Sequence, residues 1–418
     1  MKKINNWFII IFFIFLFILI RSVNFTQHLN FSSDQASSSL RILEIWKNKE
    51  ITLIGPSISF HFIGRDLYFG SITYYFQLIF LLLTRFDPIA GSYLFMIFAA
   101  LMIIPLYYGA LILTSYYGAL FTIAIYTLTP IYIDYTRFFW NPNYQLALTP
   151  TLILLFSLFH KFKKTYLLFL TGFLAGLLLL FHYQYFVIVA CLTVYFLFVK
   201  KVGFKKILIF IFGTIAGLSP MIIFELRNNF YNLQTLFLYI KNYREVFFNK
   251  NGSLAVNPHY FLSIGLFLLL IIDGYLAKYF KGKVILIMTI ILIIFGFTLY
   301  GKIPSHGFGM NNNWNYPMEL KTYQIIKNEK LENVNIVHLG YDTNATVQKF
   351  LLTKDNYQGL AKDYYNNRYL FVINEGDDYM SNPAYEVNTF IPSKIVKKWT
   401  INKIYQLYLL ERINEKNN

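Results

Sequence analysis

The sequence predicts an all-α polytopic membrane protein of about nine transmembrane helices, with one further apolar helix that dips into the bilayer and a small C-terminal α/β domain. Three observations carry this. Of 418 residues, 56% are hydrophobic and only 14% charged, against about 25% charged in soluble domains. Apolar runs of about 20 residues, the length that crosses a bilayer, recur between residues 7 and 300. After residue 300 the chain turns polar, rich in Asn, Lys and Tyr, and no run of span length follows. The chain therefore divides into 1–300, a membrane module, and 301–418, an α/β domain.

These figures exclude a soluble multidomain protein and a disordered chain. A single cysteine, Cys191, excludes a disulfide framework and any cysteine-based zinc or iron–sulfur site. The net charge of +16 sits between apolar runs rather than on one soluble face. It reads as a topology signal, with the lipid bilayer as partner and no nucleic acid.

The predicted spans are 7–21, 91–113, 117–133, 145–160, 166–182, 184–199, 207–225, 260–280 and 283–300. The first follows Lys2 and Lys3 like a signal peptide, but Arg21-Ser22-Val23-Asn24 lacks the small-residue cleavage pattern, so it is expected to stay as an anchor. Short basic connections stay cytoplasmic; here they are 161–164, 200–206 and 278–283. Residues 71–83 are apolar but short. If they crossed, Lys161 to Lys164 would lie outside while Lys2 and Lys3 lay inside, so they are read as a helix that dips into the outer leaflet. The N-terminus is then cytoplasmic in the cell membrane. The first loop (22–90), the loops 134–144 and 226–259, and everything after 300 lie outside.

In the C-terminal domain, Asn335 to Gly340 reads as a buried strand running into a turn and Leu370 to Ile373 as a second strand. Residues 319–330 and 344–352 read as helices.

Polar residues on the outer side carry the chemistry. Asp34 follows the first anchor directly, and Leu40, Leu43 and Trp46 then recur at helical spacing, as in an interfacial helix. A carboxylate there is suited to deprotonating an acceptor hydroxyl or amine; the same residue type also N-caps helices. Further along, Gly55-Pro56 and Gly64 make a folded loop with several turns. Within it His61, Arg65 and Asp66 suit a phosphate or a metal, or an ordinary solvated surface.

The loop Asp134 to Asn143 is densely polar between two spans. Arg137 suits a lipid phosphate through its planar fork, and Trp140 either stacks on a sugar ring or anchors at the interface. His182 and Gln184 interrupt two apolar runs whose joint is too short for an ordinary loop, so they face a cavity or bond between helices. Glu225 and Arg227 close another span; they pair or bind ligand.

No Walker A or HExxH motif occurs. A transporter or lipid flippase would place its site near the midplane. Asp273 is the only acid deep in a predicted span, and no inverted repeat is evident. A non-catalytic cell-envelope assembly protein is the other alternative.

The ordered set of pieces resembles the GT-C superfamily of membrane glycosyltransferases, notably bacterial relatives of the dolichyl-phosphate-mannose protein mannosyltransferases and of the lipid A aminoarabinose transferases. The pieces are the uncleaved anchor, Asp34-Gln35 after it, and Gly70-Ser71 leading into the dipping helix. Tyr135-Thr136-Arg137-Phe138 and Phe224 to Asn228 follow. The resemblance covers roughly 1–300. It implies transfer of a sugar from a polyprenyl-phosphate donor to a lipid, glycan or protein acceptor on the extracytoplasmic face, with inversion. It implies Asp34 as catalytic base and Arg137 as donor-phosphate ligand. Many members carry another Asp where this chain has Asn143, and Asp-Glu where it has Asp34-Gln35. No cofactor is therefore fixed; a divalent ion, if used, would take Asp34.

Overall fold

The computed structural model describes residues 6–60, 64–199, 202–242, 258–300, 307, 310–363, 365–376, 378–379 and 384–413. Along the chain come α1 (Asn6–Ser22), α2 (Phe25–His28), α3 (Ser33–Asn48), β1 (Ile54–Phe60), β2 (Arg65–Gly70), α4 (Ile72–Leu83), α5 (Pro88–Leu101), α6 (Ile103–Leu113), α7 (Tyr116–Leu128) and α8 (Pro130–Tyr135). Next are α9 (Asn141–Phe162), α10 (Thr165–Phe181), α11 (Phe186–Val194), α12 (Phe204–Gly217), α13 (Ser219–Arg227), α14 (Tyr231–Lys241), α15 (Leu262–Tyr279) and α16 (Gly282–Tyr300). The chain ends with α17 (Tyr316–Glu329), β3 (Val334–His338), α18 (Thr346–Lys354), β4 (Tyr369–Glu375), α19 (Tyr385–Asn388), β5 (Ser393–Thr400) and β6 (Tyr405–Arg412).

Two compact units result. The first comprises Met1–Val23, Ile51–Leu82 and Gly91–Ile303; the second joins Asn24–Glu50 and Leu83–Ala90 to Pro304–Asn418.

The first unit is a helical membrane module. Among the described residues, three helices are long and apolar enough to cross a bilayer: Pro88–Leu113, Asn141–Phe162 and His259–Tyr279. α12 and α13 pass together as a pair bent by 65°, at the Pro220 ring in the first turn of α13. α1, α4, α7, α10, Tyr183–Val199 and Gly282–Phe295 are shorter apolar helices of 10–17 residues. α10 and α12 run side by side with backbones in contact. A Cβ at Gly172 or Gly176 would run into the carbonyls of Phe210 and Thr214, and one at Gly213 or Gly217 into those of Phe169 and Phe173. Two small-xxx-small stripes thus face each other, as expected where close packing replaces the hydrophobic effect. Asp273 accepts a hydrogen bond from Thr122, which ties α15 to α7.

The turn-bearing reading of the first loop needs correction. Residues 54–70 form an antiparallel hairpin in which Ile54 pairs with Gly70 and Phe60 with Arg65, with a bulge between Ile54 and Ser57. Gly55 and Pro56 sit at that bulge, where a break in the ladder tolerates them.

In the second unit a four-stranded sheet has the order β3-β4-β6-β5. β3 and β4 are parallel, and the other neighbours antiparallel. One face buries Val337, Leu370, Val372, Phe390, Tyr408 and Leu410 in a common core. α3 lies against α18, with Lys47 donating to Asn356 at 2.9 Å. Phe31, fully buried, wedges between the rings of Tyr316 and Phe350 at 5.7 and 5.5 Å.

Candidate functional site

Asp34 stands in the first turn of α3 and is exposed. It is not the N-cap: Ser32 holds that place. The Gln35 side chain reaches back as a capping box, its Oε1 accepting from the Ser32 backbone N–H at 3.1 Å and from the Ser32 hydroxyl at 2.8 Å. Gln35 is thus committed to the helix start, and the cap is complete without the neighbouring carboxylate. An acid in a first helical turn also faces the positive end of the helix dipole.

In the membrane module the chain from Asp134 to Asn143 forms a buried knot. Arg137 is 1% exposed. Its Nη2 donates to Ile20 O at 3.3 Å, and its Nη1 lies 3.8 Å from Asp134 Oδ1. Burial raises the Asp134 carboxyl above its ordinary range, and the charges of Arg137 and Arg21 pull it back down. Trp140 stacks against Tyr135 and Phe138, with centroids at 6.1 and 6.3 Å. Asn143 is fully buried in the first turn of α9. Its Nδ2 donates to Phe138 O at 2.9 Å, while its Oδ1 has no partner.

A second polar group adjoins Trp140. The His259 ring packs edge-on against Trp140 at 4.6 Å and lies 5.7 Å from the His182 ring. Gln184 ties the group together, donating to Gln145 Oε1 at 3.0 Å and to His259 O at 3.1 Å. Gln145 in turn donates to the carbonyls of Leu178 and His182 at the end of α10. The Gln184 Oε1 is buried without a partner. So the structure brings His182, Gln184, Trp140 and Asn143 into one neighbourhood with Arg137, as separate reading of the two segments did not foresee. It adds His259 and Gln145, which that reading missed because both sit at span ends that look like plain apolar boundaries.

Gln184 lies in the 3-10 turn Tyr183–Tyr185 that precedes α11, and His259 in the 3-10 turn Pro258–Phe261 that precedes α15. These two helices line an apolar groove of about 360 Å³, walled by Val187 and Cys191 on α11, by Tyr195 just after it, by Ile264, Phe267 and Ile271 on α15, and by Leu113 and Phe156. The lining of the groove is almost pure hydrocarbon.

The other predicted residues have structural partners or stand apart. Arg65 on β2 lies over the Tyr231 ring at 4.2 Å and donates weakly toward Gln234. Glu225 does not pair with Arg227. Its two oxygens accept the backbone N–H groups of Asn232 and Leu233 at 3.1 and 3.2 Å, which caps the start of α14. Arg227 is exposed at the end of α13. His61 lies outside the described residues. Among the described residues no group of three His, Cys, Asp or Glu is disposed to hold a metal ion.

No protein-family model matches the chain, and no curated protein matches it. Solved structures do. The crystal structure of ArnT from Cupriavidus metallidurans bound to undecaprenyl phosphate aligns with a TM-score of 0.58 at 10% identity, over 97% of this chain and 98% of that one. The Archaeoglobus fulgidus oligosaccharyltransferase, in complex with zinc and sulfate, gives a looser likeness that does not bear on the fold: TM-score 0.40, 12% identity, 77% of this chain and 43% of that one. Across nearly its whole length, then, the chain shares the fold of ArnT, a GT-C protein, in line with the resemblance in its sequence.

Proposed function

We propose that the chain is a membrane glycosyltransferase that moves a sugar from a polyprenyl-phosphate-linked donor to an acceptor on the extracytoplasmic face. The observation that carries this reading is the apolar groove between α11 and α15, which reaches the first turns of both helices at Val187 and Ile264; the segments leading into those helices hold the polar group of His182, Gln184 and His259. A donor of this kind has a hydrocarbon tail and a polar sugar phosphate: the groove suits the tail, and the polar group before α11 and α15 suits the head. Both helices begin beside that polar group, and the dipole at a helix N-terminus favours phosphate. The fold shared with ArnT, whose crystal structure contains undecaprenyl phosphate, adds support.

In this reading Asp34 is the general base. It takes the proton of an acceptor hydroxyl or amine as that atom bonds to the anomeric carbon. The bond from that carbon to the phosphate oxygen breaks, and polyprenyl phosphate leaves with the electron pair. Arg137 meets the charge that develops on the leaving phosphate. A single displacement inverts the anomeric centre. Trp140 offers its ring to a sugar face, while His182, Gln184 and Asn143 offer polar contacts to its hydroxyls. Arg227 has an exposed charge open to the acceptor, with Arg65 and Glu225 in the same corner of the module. No cofactor is fixed; where a divalent ion takes part, Asp34 is its ligand. The N-terminus is cytoplasmic and the C-terminal α/β domain extracytoplasmic.

Incubating the purified protein with a panel of radiolabelled polyprenyl-phosphate sugars tests the reading. One of them is expected to lose its sugar and yield free polyprenyl phosphate. Turnover of none, by folded protein supplied with membrane extract as acceptor, overturns it.

A further inference from the structure

Arg21 is fully buried at the end of α1, a costly place for a charge unless its donors are matched. The match comes from a break in another helix. Pro130 has no N–H, so the end of α7 loses the donor that would have met Tyr126 O. Arg21 fills the gap: its Nη2 donates to Tyr126 O at 3.3 Å and its Nη1 to Thr127 O at 2.9 Å. Nη1 also meets Phe17 O at 3.3 Å, and the guanidinium lies 3.3 Å from the centroid of the Phe17 ring. The remaining contact is the shortest. Nε donates to Thr136 Oγ1 at 2.6 Å, and the Thr136 hydroxyl donates back to Tyr132 O at 2.7 Å.

Thr136 directly precedes Arg137, and Arg137 donates to the carbonyl of Ile20, which directly precedes Arg21. Two arginines therefore cross: each sends its guanidinium to the residue beside the other. Arg21 is engaged by protein on both Nη atoms and on Nε, so it is a frame rather than a ligand. Arg137 sits on the segment that this frame holds.

We propose that Arg21, acting through the Thr136 hydroxyl, is the positioning residue for Arg137. It fixes the 136–137 backbone against the end of α1 so that the Arg137 guanidinium is held in one orientation before any anion arrives. A preset guanidinium loses less freedom on binding phosphate than one that must be ordered by it. The inference rests on the reading that Arg137 serves the donor phosphate, and the test separates the two.

Thr136→Val removes the hydroxyl at nearly constant volume, and Thr136→Ser restores it. The first measurement needs no ligand: ¹⁵N-guanidinium NMR of the full-length protein in detergent, with the Arg137 signal assigned by Arg137→Lys. Wild type and Thr136→Ser should give matching, slowly rotating Arg137 resonances, and Thr136→Val a shifted or exchange-broadened one. The second is binding of undecaprenyl phosphate, where Thr136→Val should bind about tenfold more weakly, the worth of one charge-assisted hydrogen bond. An Arg137 resonance unchanged in Thr136→Val overturns the positioning role. So does a serine variant as impaired as the valine one. Failure of folded wild type to bind undecaprenyl phosphate instead overturns the transferase reading, and the donor role of Arg137 with it.

Discussion

The indole N–H of Trp314 donates to Glu319 Oε1 at 2.7 Å inside the C-terminal unit, and both side chains are fully buried. Tyr341 and Gln348 donate to the same carboxylate. Burial nevertheless prevails over these donors and pushes the Glu319 carboxyl up to about 7. A raised folded value means that the folded state holds the proton more tightly than the unfolded chain. The contribution is complete below the unfolded value and is lost as pH rises through about 7. It amounts to ~3 kcal/mol at 1.36 kcal/mol per pH unit. His338 in the same cluster works oppositely: burial lowers it to about 3, so its share is lost as pH falls below the ordinary histidine value. Glu319→Gln removes only the first effect. Relative to wild type it should gain stability steadily between pH 5 and 7 (a range of order two units,), whatever its starting penalty. Chemical denaturation followed by tryptophan fluorescence checks this; parallel curves for the two proteins would refute it.

The contact between α10 and α12 makes a second prediction. Gly172 faces the Phe210 carbonyl with no room for a side chain. Gly172→Val must separate the two backbones, at a cost of ~1–3 kcal/mol by analogy with overpacked cores. On the lipid-facing side of the same helix, Leu170 is 38% exposed, and Leu170→Val should change little. Thermal melting of the detergent-solubilised variants distinguishes these; equal melting points would show that the glycine stripes are not a tight contact.

Much of this molecule is legible in its sequence, and the gaps have physical causes. Apolar runs announce the helices, and the polar change after residue 300 announces the α/β unit. Its first strand and two helices appear as β3, α17 and α18, close to the positions that pattern alone predicts. β5 goes unread because Ser393 to Thr400 is an exposed edge strand in which Lys394, Lys397 and Lys398 replace alternation. The β1–β2 hairpin goes unread because Gly55, Pro56 and Gly64 look like turn residues, which in a bulged hairpin they also are. At the site, the polar loop 134–143 stands out between spans. The partnership of His182 with His259 does not, because 77 positions of chain separate them (182 to 259) and only packing joins them. Glu225 reads as an ion-pair or ligand residue, whereas the backbone N–H groups of α14 claim it.

Membrane sidedness is testable at the corner between α4 and α5. Arg85 and Ala90 are exposed there, and Asp87 caps α5 by accepting from the Ala90 N–H at 2.8 Å. The parity of basic connections predicts this corner on the outside. With Cys191 replaced by alanine, cysteine at position 85 or 90 should react with an impermeant maleimide on intact cells. Reaction only after the membrane is opened would invert the assignment of the outer loops.

Arg137→Ala should weaken use of a polyprenyl-phosphate donor more than it weakens folding. The guanidinium's hydrogen bond to Ile20 O is long, at 3.3 Å, and its ion pair with Asp134 distant, at 3.8 Å. Removing it also relieves the repulsion from Arg21. The expected signature is a rise in the KM for donor or a fall in kcat/KM of at least about tenfold, the worth of one charge-assisted bond to phosphate. Unchanged donor dependence would remove Arg137 from the phosphate role.

Asp34→Asn is the sharpest test of the chemistry because the helix cap does not depend on the carboxylate. Ser32 and Gln35 close the capping box without Asp34, so the variant keeps the helix cap; the lost interaction of a carboxylate with the first turn of α3 is worth ~0.3–1 kcal/mol. Asparagine keeps the shape and cannot accept a proton near neutral pH. Sugar transfer should therefore fall by at least about a hundredfold, the usual worth of a positioned base, while expression, membrane insertion and melting point stay near those of wild type. Product release from a labelled donor, measured beside those controls, gives the answer. Activity retained in Asp34→Asn would mean that another group, or water alone, accepts the acceptor's proton.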